Sequence, residues 1–90
     1  MPTDNSSCVS HLSLGTNDFA KARAFYVRVL GVLGCKVIME HPDAVAFGKA
    51  YPEFWIALPY DGRPATTGNG VHVGFAAASK VEVDSFFREA

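Results

Sequence analysis

The stretch that decides the fold is Cys8-Val9-Ser10-His11-Leu12-Ser13-Leu14, and Gly70-Val71-His72-Val73-Gly74-Phe75 has the same pattern later in the chain. In each stretch a histidine lies within a short alternation of apolar residues, which is typical of a half-buried strand. Each stretch is followed by a helix start signal, one near Asp18 and one near Ser79. Two strand-with-histidine units, each leading into a helix, predict two related modules that face one shared site.

The residues between these two stretches predict one helix and three strands. Asn17 or Asp18 supplies the helix N-cap, and Gly31 and Gly34 are suitable stop residues. The helix carries an apolar stripe at positions Phe19, Ala22, Tyr26, Val29, Leu30 and Leu33. Strands are predicted at residues 35–39, 44–48 and 53–60, with turns at 41–43 and 51–52. His41 falls in the first of these turns, so we assign it to the surface.

A Gly- and Pro-rich segment, residues 61–70, is predicted to be an exposed linker. The second histidine-bearing strand then extends to about residue 77, and Ser79-Lys80-Val81-Glu82 has capping-box spacing for a helix. The predicted fold is α+β: a βαβββ module (8–60), the linker, and the opening βα of a second module (71–90) that is incomplete. A ferredoxin-like layout fits less well, because it places two strands between its helices and this chain has four.

Composition limits the class of protein. The chain has 90 residues, 49% of them apolar, and a net charge of −1, which indicates one small globular domain without a basic surface for nucleic acid. No apolar run approaches the roughly 20 residues that cross a bilayer. The polar residues 1–7 lack the apolar run of a secretory signal, so we expect a cytoplasmic protein. Cys8 and Cys35 lack metal-type spacing and are interpreted as small apolar residues, with a reactive thiol as the alternative.

Three groups of residues resemble a known family. Asp18, Phe25-Tyr26 and Val29-Leu30-Gly31 resemble the helix signature of the glyoxalase/bleomycin-resistance/extradiol-dioxygenase proteins, the vicinal oxygen chelate superfamily. His11 before that helix and Gly70-Val71-His72-Val73 after the linker are similar in kind and spacing. The resemblance extends from Val9 to Phe87.

The resemblance implies paired βαβββ modules around a cleft with a divalent metal at its centre. Its ligands come from the first and last strands of each module, so His11 and His72 are the metal ligands that it implies. Ala57 falls where glyoxalase-type lyases carry a glutamate, and alanine cannot bind a metal. The fourth position would lie on a last strand of module two that these residues do not include. Two histidines and one carboxylate favour Fe(II), with Mn²⁺, Zn²⁺ or Ni²⁺ as alternatives.

The resemblance leads to three functional expectations. The first is a metal-dependent lyase, isomerase or extradiol dioxygenase that acts on a small oxygenated molecule, with no catalytic residue assigned. The second is a metal-free protein that sequesters a small aromatic molecule, as bleomycin-resistance proteins do, and the third is a truncated, inactive module. The expected substrate-binding residues are Ser13, Trp55, Ala57 and Tyr60.

The expected partners are a small molecule and a second copy of the chain. An apolar helix face at the end of an incomplete module predicts a homo-oligomer that completes the second module. Neither nucleic acid nor a membrane is expected as a partner.

Overall fold

The structure, a computed structural model, describes residues 8–90, which form four strands and two helices. In chain order these are β1 (Leu12–Gly15), α1 (Phe19–Gly31), β2 (Lys36–His41), β3 (Ala44–Gly48), β4 (Phe54–Ala57) and α2 (Lys80–Glu89). The predicted α+β class and the βαβββ order of the first module are confirmed. Residues 1–7, interpreted above as lacking a secretory signal, lie outside the described residues.

Helix α1 begins and ends at its sequence signals. The Asp18 carboxylate caps it by accepting a 3.1 Å hydrogen bond from the backbone N–H of Lys21. The helix ends at Gly31, and Gly34 then adopts a φ of 82°, which residues with a side chain rarely adopt.

The four strands form one sheet in the order β1-β4-β3-β2. β1 is parallel to β4, whereas β3 is antiparallel to both β4 and β2. A parallel pair needs a crossover between its strands, and α1 followed by the β2–β3 hairpin provides it. Because side chains alternate along a strand, the pairing also assigns each residue to one of the two sheet faces.

The hydrophobic core lies between α1 and one face of the sheet. Its fully buried members are Val29, Leu30, Leu33, Val45, Phe47, Phe54 and Ile56. The Tyr26 ring joins the helix to this face, with its centroid 5.2 Å from that of Phe54 and 6.4 Å from that of Phe47. Burial of these side chains, at about 1.5–3 kcal/mol each, is the main force that holds α1 on the sheet.

Residues 71–77, predicted to form the second histidine-bearing strand, are not part of the sheet in this structure. A strand requires a neighbour for its backbone N–H and C=O groups, and residues 71–77 pair with none of the four strands. The alternation of its side chains persists nevertheless. Val73 and Phe75 are half-buried against the core, whereas His72 and Gly74 are exposed.

Helix α2 begins at the predicted capping box. The Ser79 hydroxyl accepts from the Glu82 N–H at 3.2 Å, and the Glu82 carboxylate accepts from the Ala78 N–H at 2.9 Å. Phe86 packs against the core, and an Arg28–Glu89 ion pair of 3.4 Å links α2 to α1.

The strand ends differ from the prediction at three places that affect the site. β1 begins at Leu12, so His11, predicted to lie within this strand, precedes it. β4 ends at Ala57 rather than at residue 60, because Pro59 has no N–H to donate to a ladder. β2 extends through His41, which was predicted to lie in a turn. In the described part of the chain, no helix is long and apolar enough to cross a membrane.

Candidate functional site

The sheet face turned away from α1, called the open face below, contains most of the predicted site residues. The positions that the pairing assigns to it include Ser13, Gly15, Met39, His41, Ala44, Ala46, Trp55 and Ala57. The alternate positions on the same strands, Phe54, Ile56, Val45 and Phe47, lie in the core. The open face is therefore the side of the sheet that α1 leaves free for a ligand.

Trp55 occupies the centre of the open face. It pairs with Ser13 of β1 on one side and with Ala46 of β3 on the other. The indole is half-buried, and its β3 neighbour leaves space above the sheet because alanine has only a methyl group. Trp55 thus offers an aromatic face with a hydroxyl on the adjacent strand.

The predicted substrate-binding residues Ser13, Ala57 and Tyr60 line one cavity of about 440 Å³. The cavity lies where the parallel strands β1 and β4 both end, and the start of the linker forms its other wall. Asp61 and Thr66 contribute polar groups from that wall. The volume is within the range of small-molecule sites, which is roughly 300–1,000 Å³.

Asn17 holds the linker against this end of the sheet. Its side-chain amide donates to the carbonyl oxygen of Ala65 at 3.0 Å and accepts from the Ala65 N–H at 2.6 Å. The linker approaches so closely that a Cβ added at Gly15 would lie 3.3 Å from the Cβ of Ala65. A side chain longer than that of glycine at position 15 would therefore crowd the linker away from the cavity.

His41 lies on the open face because of a β-bulge. Strict alternation would place Val37, Met39 and His41 on the same face, yet Val37 pairs with Phe47 of the core. The register shifts between Val37 and Met39, and this extra residue turns Met39 and His41 to the open face. The prediction that His41 is exposed is confirmed, whereas its placement in the turn is wrong, because it is the last residue of β2.

The shift also turns Glu40 toward the helix side, where its carboxylate forms an ion pair and hydrogen bond with Arg23 of α1. The Glu40 carboxylate raises the pKa of the Arg23 guanidinium, first through the hydrogen bond and then through its charge. Arg23 is a permanent cation at any physiological pH, so the contact between α1 and β2 does not depend on the protonation of Arg23.

The His41 and Trp55 rings are stacked on the open face. Their centroids are 6.3 Å apart and their planes differ by 8°, which is an offset parallel arrangement. The two rings belong to β2 and β4, on either side of Ala44 and Ala46 of β3. Ala46 is fully buried although it faces the open side, which is the burial expected of a small residue beneath two rings.

The two predicted metal ligands are both exposed, and both lie outside the sheet. His11 directly precedes β1, and its Nδ1 is 3.3 Å from the Ser10 hydroxyl oxygen. His72 lies in the irregular segment before α2. Their sequence neighbours Ser10 and Val73 line a common cavity of about 380 Å³, so the two segments are adjacent.

The donor side chains of residues 8–90 do not make a complete metal centre. Across residues 8–90, no group of three or more His, Cys, Asp or Glu side chains is placed to share a metal ion. Ala57 does not lie beside His11 either, because it pairs with Gly15, and the ladder begins at Leu12 opposite Phe54. Four residues along a strand correspond to about 13 Å. Two histidines alone fall short of the three protein ligands typical of a catalytic site.

Cys35 is a half-buried thiol at the same 380 Å³ cavity, whose walls include Leu30, Leu33 and Phe47 on the helix side. Burial raises the pKa of this thiol, so it stays protonated at neutral pH. This is the behaviour expected of a small apolar residue.

Comparison with known proteins identifies the family. The model of the Glyoxalase/Bleomycin resistance protein/Dioxygenase superfamily matches residues 9–90. The crystal structure of a glyoxalase/bleomycin resistance protein from Albidiferax ferrireducens T118 matches with a TM-score of 0.85 and 35% identity, over 92% of this chain and 67% of that chain. Among curated proteins nothing matches. The chain belongs to the glyoxalase/bleomycin resistance/dioxygenase superfamily, whose members bind small molecules.

Proposed function

We propose that this chain binds a small planar molecule on the open face, against Trp55, without needing a metal ion. The observation that carries the proposal is the pairing of Ser13 with Trp55 and of Trp55 with Ala46. The two pairings place the Ser13 hydroxyl on one side of the Trp55 ring and the Ala46 methyl group on the other. A stacked aromatic ligand gains about 1–3 kcal/mol from such a surface, judged by comparable base–aromatic contacts.

The neighbouring cavity supports the same proposal. Ser13 and Ala57 belong to both the open face and the cavity wall, and the Tyr60 ring is fully exposed at its edge. In this interpretation Ser13 hydrogen-bonds a polar group of the ligand, Ala57 leaves space for it, and Tyr60 closes over one side.

The test uses Trp55, the single tryptophan of the chain, as a reporter. The protein is titrated with catechol, indole analogues and flavone, with and without a chelator. Trp55 fluorescence emission and the heat of binding are recorded. We expect saturable binding that the chelator does not change and that Trp55→Ala weakens about tenfold or more, consistent with loss of a stacking contact.

Tyr51→Ala is the matched control, because Tyr51 is an exposed aromatic residue in the β3–β4 connection rather than on the open face. Equal affinities of the Trp55 and Tyr51 variants would rule out the open face as the site. Binding that disappears with the chelator would favour the second candidate.

The second candidate is a metal-dependent enzyme of the lyase, isomerase or extradiol-dioxygenase type, with His11 and His72 as metal ligands. The adjacency of their segments at the 380 Å³ cavity favours it, as does the family. Metal content after purification decides: under this candidate His11→Ala and His72→Ala each lower bound Fe, Mn, Zn or Ni, and His41→Ala does not. Unchanged metal content in the first two variants would reject the site.

We also propose that residues 8–60 and 71–90 are parts of two modules joined by the linker 61–70, and that two copies of the chain associate. Within the described residues β1 is an edge strand, with β4 on one side and no strand on the other. On α2, Val81, Val83 and Phe87 are exposed, with Phe87 at 82%. The exposed apolar face of α2 and the open edge of β1 are each a surface that a second copy would cover.

A further inference from the structure

We infer that His41 is a positioning residue for Trp55, and that protonation of His41 changes how firmly Trp55 is held on the open face. The inference rests on the proposed function only where it concerns ligand affinity. The positioning itself is a property of the ligand-free protein. Three observations lead to it: the stack, the bulge and the uncharged surroundings of the two rings.

The stack is the direct contact. With centroids 6.3 Å apart and planes within 8°, the imidazole lies parallel to the half-buried indole. A tryptophan between Ser13 and Ala46 has neighbours too small to fix its rotamer. The His41 ring is the one large aromatic side chain that contacts the Trp55 ring among the described residues. It therefore restricts the orientations that the indole can adopt.

The β-bulge in β2 is the backbone feature that brings His41 to the same face as Trp55. A β2 strand without the extra residue between Val37 and Met39 would turn His41 toward the core and Glu40 toward the open face. The Arg23–Glu40 ion pair on the helix side is compatible with this shifted register, because the register turns Glu40 toward α1. The shifted register thus places His41 beside Trp55.

The sheet positions that flank His41 carry no charge. The positions that flank it on β3 and β4 are Ala44, Ala46 and Ala57, none of which ionises. Of the nearest carboxylates along the chain, Glu40 is bound to Arg23 on the other face, and Asp43 follows in the β2–β3 turn. When the imidazole gains a proton, the indole face is its adjacent electron-rich group, and the stack becomes a cation–π contact.

The consequence is a site whose rigidity depends on pH. With His41 charged, Trp55 is held more firmly and a planar ligand meets a preorganised surface. With His41 neutral, the contact reverts to a weaker stack of two uncharged rings. We expect the affinity for catechol to rise about two- to fivefold when His41 gains a proton.

The experiment is a pH titration of Trp55 emission in the ligand-free protein and in His41→Phe, which keeps a stacking ring but cannot be protonated. The wild type should show a sigmoid change with pH that His41→Phe lacks. His72→Phe is the matched control, because it removes another exposed histidine, and it should retain the sigmoid. A sigmoid that persists in His41→Phe, or that vanishes in His72→Phe, overturns the inference.

A second measurement needs only the wild-type protein, so it tests the inference even if His41→Phe does not fold. In the wild-type protein, the Trp55 indole N–H resonance and the His41 ring resonances should titrate with one common midpoint. Different midpoints overturn the inference.

Catechol affinities at both ends of the pH range separate this inference from the proposed function. If catechol does not bind but Trp55 emission still shows the sigmoid change, the proposed function is contradicted and the positioning role of His41 stands. Binding at equal affinity across the range contradicts the effect of His41 on the site and leaves the proposed function intact.

Discussion

At the residue scale, the open face depends on small residues as much as on aromatic ones. Ala44 and Ala46 of β3 leave room for the rings of the neighbouring strands, and Gly15 leaves room for the linker. Gly48 is required for another reason: a Cβ there would collide with the carbonyl oxygen of Tyr51, where the chain turns between β3 and β4. The need for a small residue at each of these positions follows from its neighbours in the structure, and a sequence pattern does not reveal those neighbours.

Asn17 gives the first prediction at this scale. Asn17→Ala removes both hydrogen bonds to Ala65, so the linker should detach from the end of the sheet at a cost of about 1–2 kcal/mol in the free energy of unfolding. Urea denaturation measures the loss, and amide hydrogen exchange should show faster exchange of the Ala65 N–H. Asn17→Asp keeps the acceptor and should lose about half as much. An Ala65 N–H that exchanges at an unchanged rate in Asn17→Ala would contradict the clamp.

At the element scale, local signals were predicted correctly and pairing-dependent features were not. Asp18 and Ser79 cap the two helices as expected, because a cap depends on three or four consecutive residues. The face of His41 depends on a register shift between two strands, and simple alternation cannot reveal it.

The clamp from Asn17 to Ala65 joins residues 48 positions apart, and for the same reason it was not predicted. Residues 71–77 are the opposite case, in which the sequence pattern predicts a strand that the structure does not form. Their alternation is present, but alternation without a paired neighbour does not make a strand.

The cap of α2 gives the prediction at this scale. Ser79→Ala should destabilise the protein by about 1 kcal/mol, because the Glu82 N–H loses its acceptor at the helix start. Chemical denaturation followed by circular dichroism measures the change. Ser85→Ala in the same helix is the control, since the Ser85 hydroxyl contacts Arg88 and caps nothing. Equal losses in the two variants would show that α2 does not depend on its cap.

At the scale of the whole molecule, the chain has a well-buried core on one side of the sheet and exposed apolar residues on α2. Phe86 of α2 packs on the core, but Phe87 and Val81 point to solvent. The chain spans 67% of the Albidiferax ferrireducens chain that it matches. The family is established by this likeness and by the match over residues 9–90, whereas ligand and chemistry depend on side chains of the individual chain.

Association of two copies gives the prediction at this scale. Phe87→Lys places a charge on the exposed face of α2 and should shift the protein toward the monomer in light scattering, with little change in the free energy of unfolding. Tyr51→Lys alters an exposed aromatic residue elsewhere and should leave the mass unchanged. A wild-type protein that is monomeric at all concentrations would refute the association.

The central claim is that the ligand lies on the open face rather than in the helix-side cavity, and methyl-resolved NMR with catechol tests it most directly. With a chelator present, the account predicts shift changes at the methyl groups of Ala44, Ala46 and Ala57, which surround Trp55 and His41. Leu30 and Leu33, which line the 380 Å³ cavity on the helix side, should be unaffected. Shifts confined to Leu30 and Leu33, with the three alanine methyl groups unchanged, would contradict the account.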